Sequence, residues 1–164
     1  MRRLILIAAV LTLPSGAAPG RAQTLLSKPT PQQATVVPSS SVPVVAPGGS
    51  VTLWADVTPH RAMHVYAEGA TGYTAVSLVL TPNAAVSAGK VSYPKAGVVQ
   101  VPGTVDRVPA YSGPFRISVP LTVKSTAKPG DVLTLGAALN YQACDDRLCY
   151  PAAVAPVLWT LTVR

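Results

Sequence analysis

Cys144 and Cys149 are the only cysteines of the chain, and they sit within the run Tyr141-Gln-Ala-Cys-Asp-Asp-Arg-Leu-Cys-Tyr-Pro151. Sulfurs this close can join across a turn, and Asp145 and Asp146 suit such a turn because a short carboxylate bonds neighbouring backbone amides. Closing so small a ring gains about 2 kcal/mol of chain entropy, less than a long loop would gain. The bond is therefore a poor staple for a whole domain, and short-loop bridges are readily exchanged. Thiol–disulfide exchange and an inert structural disulfide both fit these residues. Arg147 favours a thiolate, Asp145 and Asp146 oppose it, and no helix N-terminus is in view to lower a thiol pKa.

Metal handling is the other chemistry to weigh. His60, Met63 and His64 lie in one segment, and the two cysteines add soft sulfur ligands suited to Cu(I). A site needs three or four converging ligands, and alternation along a strand turns Met63 away from His64, while His60 follows Pro59 in a turn. Hydrolysis has little support. Asp145 and Asp146 are adjacent rather than a separated acid/base pair, and no histidine is placed beside Ser112 by the sequence.

The elements that must position these residues are strands. Proline makes up 17 of 164 residues, against a usual share of about 5%, which excludes long helices. Val51, Leu53, Ala55 and Val57 alternate with polar neighbours, as do Ile117, Val119, Leu121 and Val123, and Val157, Trp159, Leu161 and Val163. Period two is the signature of a half-buried strand. Pro120 predicts a free side on its strand. Trp54, on an outward register, is expected to be covered by a neighbour rather than to serve as a ligand platform. Turn signals at Ala46-Pro-Gly-Gly49, Thr81-Pro-Asn83 and Lys128-Pro-Gly-Asp131 separate the runs. Seven or more short strands so spaced predict an all-β fold, a single immunoglobulin-like β-sandwich.

Parity also places the site residues. Leu133, Leu135, Ala137, Leu139, Tyr141 and Ala143 fall on the inward face, so a regular strand turns Asn140, Gln142 and Cys144 to the other one. By the same rule His64 and Tyr66 share a face, opposite Met63 and Val65.

The N-terminus reads as an exported protein's. Met1-Arg-Arg, an apolar run from Leu4 to Leu13 and a small-residue stretch ending at Ala22 form a signal-peptide pattern over residues 1–22. The apolar run is half the length of a bilayer-spanning helix, and no later segment is long and apolar enough to span. Loss of Arg2, Arg3 and Arg21 leaves ten Lys and Arg against six Asp and Glu, a net charge of +4 in place of +7. These cations are scattered, so nucleic acid is not an expected partner. Residues 23–41, rich in Ser, Pro and Gln, are expected to be flexible and to end in one or two edge strands, with the domain occupying 42–164.

Met63-His-Val-Tyr-Ala67, Gly72-Tyr-Thr-Ala-Val-Ser-Leu78, Val91-Ser-Tyr-Pro94, Val108-Pro-Ala-Tyr-Ser-Gly113 and the Tyr-Gln-Ala-Cys…Cys-Tyr-Pro element occur in this order. Together they resemble the N-terminal periplasmic domain of the disulfide reductase DsbD, from about Val42 to Val163. The resemblance implies a periplasmic, monomeric, immunoglobulin-like domain that relays electrons without cofactor or metal. Its implied partners are a membrane-embedded thiol reductase and periplasmic thioredoxin-like or disulfide isomerase proteins. It makes Cys149 the sulfur that forms the mixed disulfide and Cys144 the one that resolves it. His64, Tyr66, Tyr111, Tyr141 and Tyr150 become supporting residues, with Tyr66, Tyr141 and Tyr150 as aromatic walls near the sulfurs. The stretch from Gln100 to Tyr111 corresponds to a loop capping the pair, although the aromatic and acidic cap residues of well-known members have no counterpart among Val101, Val105, Asp106 and Val108. Neither a membrane carrier nor a thioredoxin-like domain lies within residues 1–164, so electrons are expected to come from a separate membrane protein.

Overall fold

A computed structural model describes residues 32–164; the expected signal peptide lies outside them, as does the first part of the expected flexible segment. The described residues contain strands and turns and no helix. One sheet joins β1 (Ala34–Ser40), β3 (Ser50–Pro59), β9 (Phe115–Val123) and β6 (Val86–Ala88), in that order. A second joins β2 (Val44–Val45), β12 (Ala153–Val163), β10 (Val132–Tyr141) and β5 (Ser77–Leu80). Their inward residues meet in one buried cluster, with Val51, Leu53, Ala55 and Val57 of β3 and Ile117 to Val123 of β9 against Leu133 to Tyr141 of β10 and Val157 to Val163 of β12. Strict alternation supplies each strand with one apolar face, and stacking two such faces removes both from water. The result is the expected immunoglobulin-like sandwich. Trp159 reaches across it, donating from Nε1 to the Trp54 carbonyl at 2.9 Å, so the sheets are joined without a disulfide.

The Ser- and Pro-rich stretch ends in an edge strand, as expected: β1 pairs with β3 along its whole length, from Ala34 opposite Pro59 to Ser40 opposite Leu53. As an edge strand it tolerates Pro38 in mid-run. The side of β9 expected to be free carries β6 and a bridge between Ser92 and Ser118. Pro120 falls between these two pairings, where its carbonyl accepts from Gly89 N and its missing N–H costs nothing. Trp54 is covered by the guanidinium of Arg116, 4.7 Å from the ring centroid and bound in fork fashion to Asp56 at 2.7 and 2.9 Å.

The third sheet positions the cysteines. It runs β11 (Ala143–Cys144), β4 (His64–Tyr66), β8 (Arg107–Tyr111), β7 (Gly97–Gln100). β10 ends at Tyr141, and the chain passes through Gln142 into this new sheet, with Ala143 opposite Val65 and Cys144 opposite His64. Gln142 fixes the corner on every side. Its backbone N–H donates to Thr74 O, its carbonyl accepts from Tyr66 N, its Oε1 accepts from Thr74 N and its Nε2 donates to Tyr150 O.

The two faces of β12 allow a direct test of the sandwich. Leu161 is 0% exposed and Leu158 62%. Leu161→Ala is expected to lower unfolding free energy by about 2–5 kcal/mol, and Leu158→Ala by no more than about 0.5 kcal/mol, as read by urea denaturation. Equal losses would contradict the assignment of faces.

Candidate redox site

Cys144 and Cys149 form a disulfide whose Cα atoms are 4.0 Å apart. The four residues between them make a tight turn. Asp145 N donates to Leu148 O at 3.0 Å, and Asp145 Oδ1 accepts from the N–H groups of both Arg147 and Leu148 at 2.8 Å. The Tyr150 hydroxyl donates to Asp145 Oδ2 at 3.0 Å. Those backbone N–H groups, with the Tyr150 hydroxyl, hold the Asp145 carboxyl below the usual carboxylate range. Asp145 thus builds the turn.

The two sulfurs have different surroundings. Cys144 is 0% exposed, whereas Cys149 is half-buried. The parity expectation was that Cys144 leaves the main core, and it does, since Ala143 belongs to the sandwich cluster and Cys144 does not. The face it turns to is not open, however. Cys144 packs in a second cluster with Tyr66, Ala70, Val101, Val108 and Ala110, and Cys149, Val99 and Tyr73 lie against it.

Tyr66 stands between the sulfurs. Its hydroxyl is 3.0 Å from Cys144 Sγ and 3.2 Å from Cys149 Sγ. Disulfide sulfurs carry no hydrogen, so the phenol is the donor in both contacts. Burial pushes the Tyr66 phenol up, and the neighbouring Tyr73 adds to this, which keeps the O–H group intact at neutral pH. Tyr73 leans on the Tyr66 ring at 4.3 Å between centroids, and the His64 imidazole meets it edge-on at 5.5 Å.

β7 and β8 form a hairpin whose tip, Val101 to Asp106, covers the pair. The expected capping loop is therefore strand through Gln100 and again from Arg107. Val101 is the shielding residue, buried against Cys144, while Val105 at the tip is 90% exposed. The tip closes through Thr104 N to Val101 O and Val101 N to Asp106 O.

Of the other residues singled out, His64 and Tyr66 lie together and Tyr150 fastens the loop. Tyr141 and Tyr111 are not walls of the site. Tyr141 is in the sandwich core, its hydroxyl donating to Gln32 Oε1 and accepting from Gln33 N. Tyr111 stacks on Phe115 at 4.0 Å and donates to Pro94 O. Both sit on strand positions opposite in parity to the site face. Tyr73 was missed as a site residue, and Gly72-Tyr-Thr, already marked as a motif, was the available signal; Val101, one of the four cap-stretch residues considered, shares the Cys144 cluster at 3% exposed, and Gln142, placed by parity with Cys144, serves the corner. The metal constellation does not assemble. His60 Nε2 lies 3.4 Å from Thr35 Oγ1 on the sandwich, and among the described residues no three of His, Cys, Asp and Glu gather as ligands.

Comparison with known proteins follows the same line. The N-terminal periplasmic domain of ScsB from Proteus mirabilis is similar in structure, with a TM-score of 0.52 and 16% identity over 84% of this chain. The chain spans about half of that structure, 49% of its length. The reduced N-terminal domain of DsbD from Neisseria meningitidis aligns with a TM-score of 0.48 and 16% identity, covering 77% of this chain and 86% of that one. No curated protein matches in sequence. The sequence profile described as thiol:disulfide interchange protein DsbD, N-terminal, matches residues 32–158, which include the whole disulfide site and nearly all of the sandwich. This chain belongs to the family of DsbD N-terminal domains.

Proposed function

We propose that this chain is an exported thiol–disulfide interchange domain that carries electrons from a membrane-embedded thiol reductase to periplasmic thioredoxin-like or disulfide isomerase proteins. The observation that carries the reading is the asymmetry of the pair, one sulfur reachable and the other sealed, with a phenol donating to both. Exchange needs in-line access to one sulfur and a stabilised leaving thiolate at the other.

In the charging direction, a thiolate of the reductase attacks Cys149 Sγ. The S–S bond breaks and its electron pair stays on Cys144 Sγ, where the Tyr66 hydroxyl donates to the new charge. The reductase's second thiolate then attacks its own sulfur in the mixed disulfide and frees Cys149. In the discharging direction the Cys149 thiolate attacks a partner's disulfide, and Cys144 then attacks Cys149 Sγ, releasing the partner as a thiol and restoring the internal bond. Two electrons and two protons pass in each direction. Val101 on the hairpin tip, packed in the cluster that holds Cys144, supports selectivity by keeping the resolving sulfur from solvent while Cys149 stays reachable.

Replacing Cys144 by Ala removes the resolving sulfur and leaves Cys149 to hold its partners. Stable mixed disulfides with periplasmic proteins are expected on non-reducing gels, and none when Cys149 is also replaced. Absence of any Cys149-dependent adduct in a periplasmic extract counts against the reading.

The turn gives it a pH signature. Because the folded Asp145 carboxyl titrates below its ordinary value, its contribution to loop order is fully present above the unfolded carboxylate pKa of about 3.9 and is lost as pH falls through the lower folded value. Amide protection at Arg147 and Leu148 should therefore persist from neutral pH into the ordinary carboxylate range and disappear below it. Asp145→Ala should abolish that protection at every pH, as hydrogen exchange will read; an unchanged profile would detach Asp145 from the turn.

A further inference from the structure

One group at the site has no task in the exchange just described. His64 is 8% exposed, and its Nε2 is buried with no hydrogen-bond partner. A buried polar atom without a partner costs stability, and such atoms are rare enough in folded proteins to need a reason. His64 is also the residue directly opposite Cys144 in the β4–β11 pairing, a relation that sets Cβ atoms about 4.5–5.5 Å apart. It shares a strand face with Tyr66, whose hydroxyl touches Cys144 Sγ. By backbone register, His64 therefore lies across from the sealed Cys144.

The ring has a second neighbour. It forms part of the wall of a pocket of about 380 Å³, lined as well by Ala62, Gln100, Pro102, Asp145 and Asp146. This pocket opens beside the disulfide turn, under the hairpin tip. Ala62, which leads into β4, holds a left-handed φ of 62°. Alanine adopts that conformation only at a cost, and here it carries the chain from the turn at His60 into the strand that presents His64.

Resting on the interchange reading above, we infer that His64 is the proton carrier of Cys144, passing a proton between the buried sulfur and water in the adjacent pocket. The imidazole first takes a second proton from the pocket side at its unprotonated nitrogen; when a thiolate attacks Cys149 and the S–S bond breaks, Cys144 Sγ keeps the electron pair and takes a proton from this imidazolium, which returns to neutral. In the reverse step the Cys144 thiol gives its proton to the ring as its sulfur attacks Cys149 Sγ, and the departing electron pair leaves on the partner's sulfur. The nitrogen that lacks a partner in the disulfide acquires one, the Cys144 thiol, in the dithiol.

The surroundings are consistent with this traffic. The titratable and charged groups about the ring are Tyr66 on its own strand, Cys144 opposite, and Asp145 and Asp146 from the turn; the hairpin wall from Val99 to Gly103 brings none. Burial pushes the His64 imidazole down, with Asp145 opposing, so a second proton taken up by the ring is readily passed on. Tyr66, held up by burial, donates a hydrogen bond to sulfur but does not itself ionise.

The test uses the full chain and dithiothreitol, a small dithiol that reaches Cys149 without any protein partner. The His64 ring is followed by NMR across pH in the disulfide and dithiol forms, and the rate of reduction is measured for wild type and His64→Phe. The account expects the imidazole to titrate at a different pH in the two redox forms, and the variant to react about 100-fold more slowly near neutrality, at the low end of general acid–base effects. Added free imidazole should restore part of the rate in His64→Ala. Identical titration of His64 in both forms overturns the inference, and does so even if the variants fail to fold. Because no protein partner takes part, a failure of trapping at Cys149 with these effects intact would sink the relay reading alone.

Discussion

The corner at Gln142 is the constraint on which the rest of the site depends. A strand that began in the sandwich with Val132 leaves it after Tyr141, and four hydrogen bonds from a single residue hold the chain as it enters a different sheet. Without that change of sheet, Cys144 would continue the alternation onto the outer face of the sandwich. With it, the sulfur arrives opposite His64, under the hairpin of β7 and β8 and against the Tyr66 hydroxyl. Gln142, through its backbone and its side-chain amide, thus links the sandwich to the sheet that holds the disulfide. The large apolar area buried between the two main sheets supplies the stability of the sandwich.

That division of labour explains the contrast between the sulfurs. A bridge used as a staple gains most when it closes a long loop, and this one closes a ring of a few residues already fixed by Asp145. The turn's hydrogen bonds do not pass through the sulfurs, so the interchange proposed here asks for no change in them. What does change is the electrostatic demand at Cys144, where a charge would form in an apolar cluster. The phenol of Tyr66 touches that sulfur and His64 lies opposite it in the strand pairing, so the interchange proposed here would draw on both.

Much of this was legible in the residues. Period-two alternation identified the inner faces of β3, β9, β10 and β12, because in a two-sheet sandwich the pleat alone decides which side is buried. It also put His64 and Tyr66 together and took Cys144 out of the main core. What it could not supply was the covering of the other face, since Val101 is brought over Cys144 by pairing between strands far apart in sequence. Tyr141 shows two lines of reasoning in conflict: parity sent it inward, family resemblance sent it to the sulfurs, and the pleat prevailed.

The central claim is that Cys144–Cys149 is an exchangeable carrier and not a fixed brace. Its reduction potential, obtained by equilibrating the full chain with glutathione or dithiothreitol buffers, tests this most directly. The account predicts a value above about −300 mV, among disulfides that trade electrons with other proteins. A value well below about −300 mV, the range of structural disulfides, would contradict it.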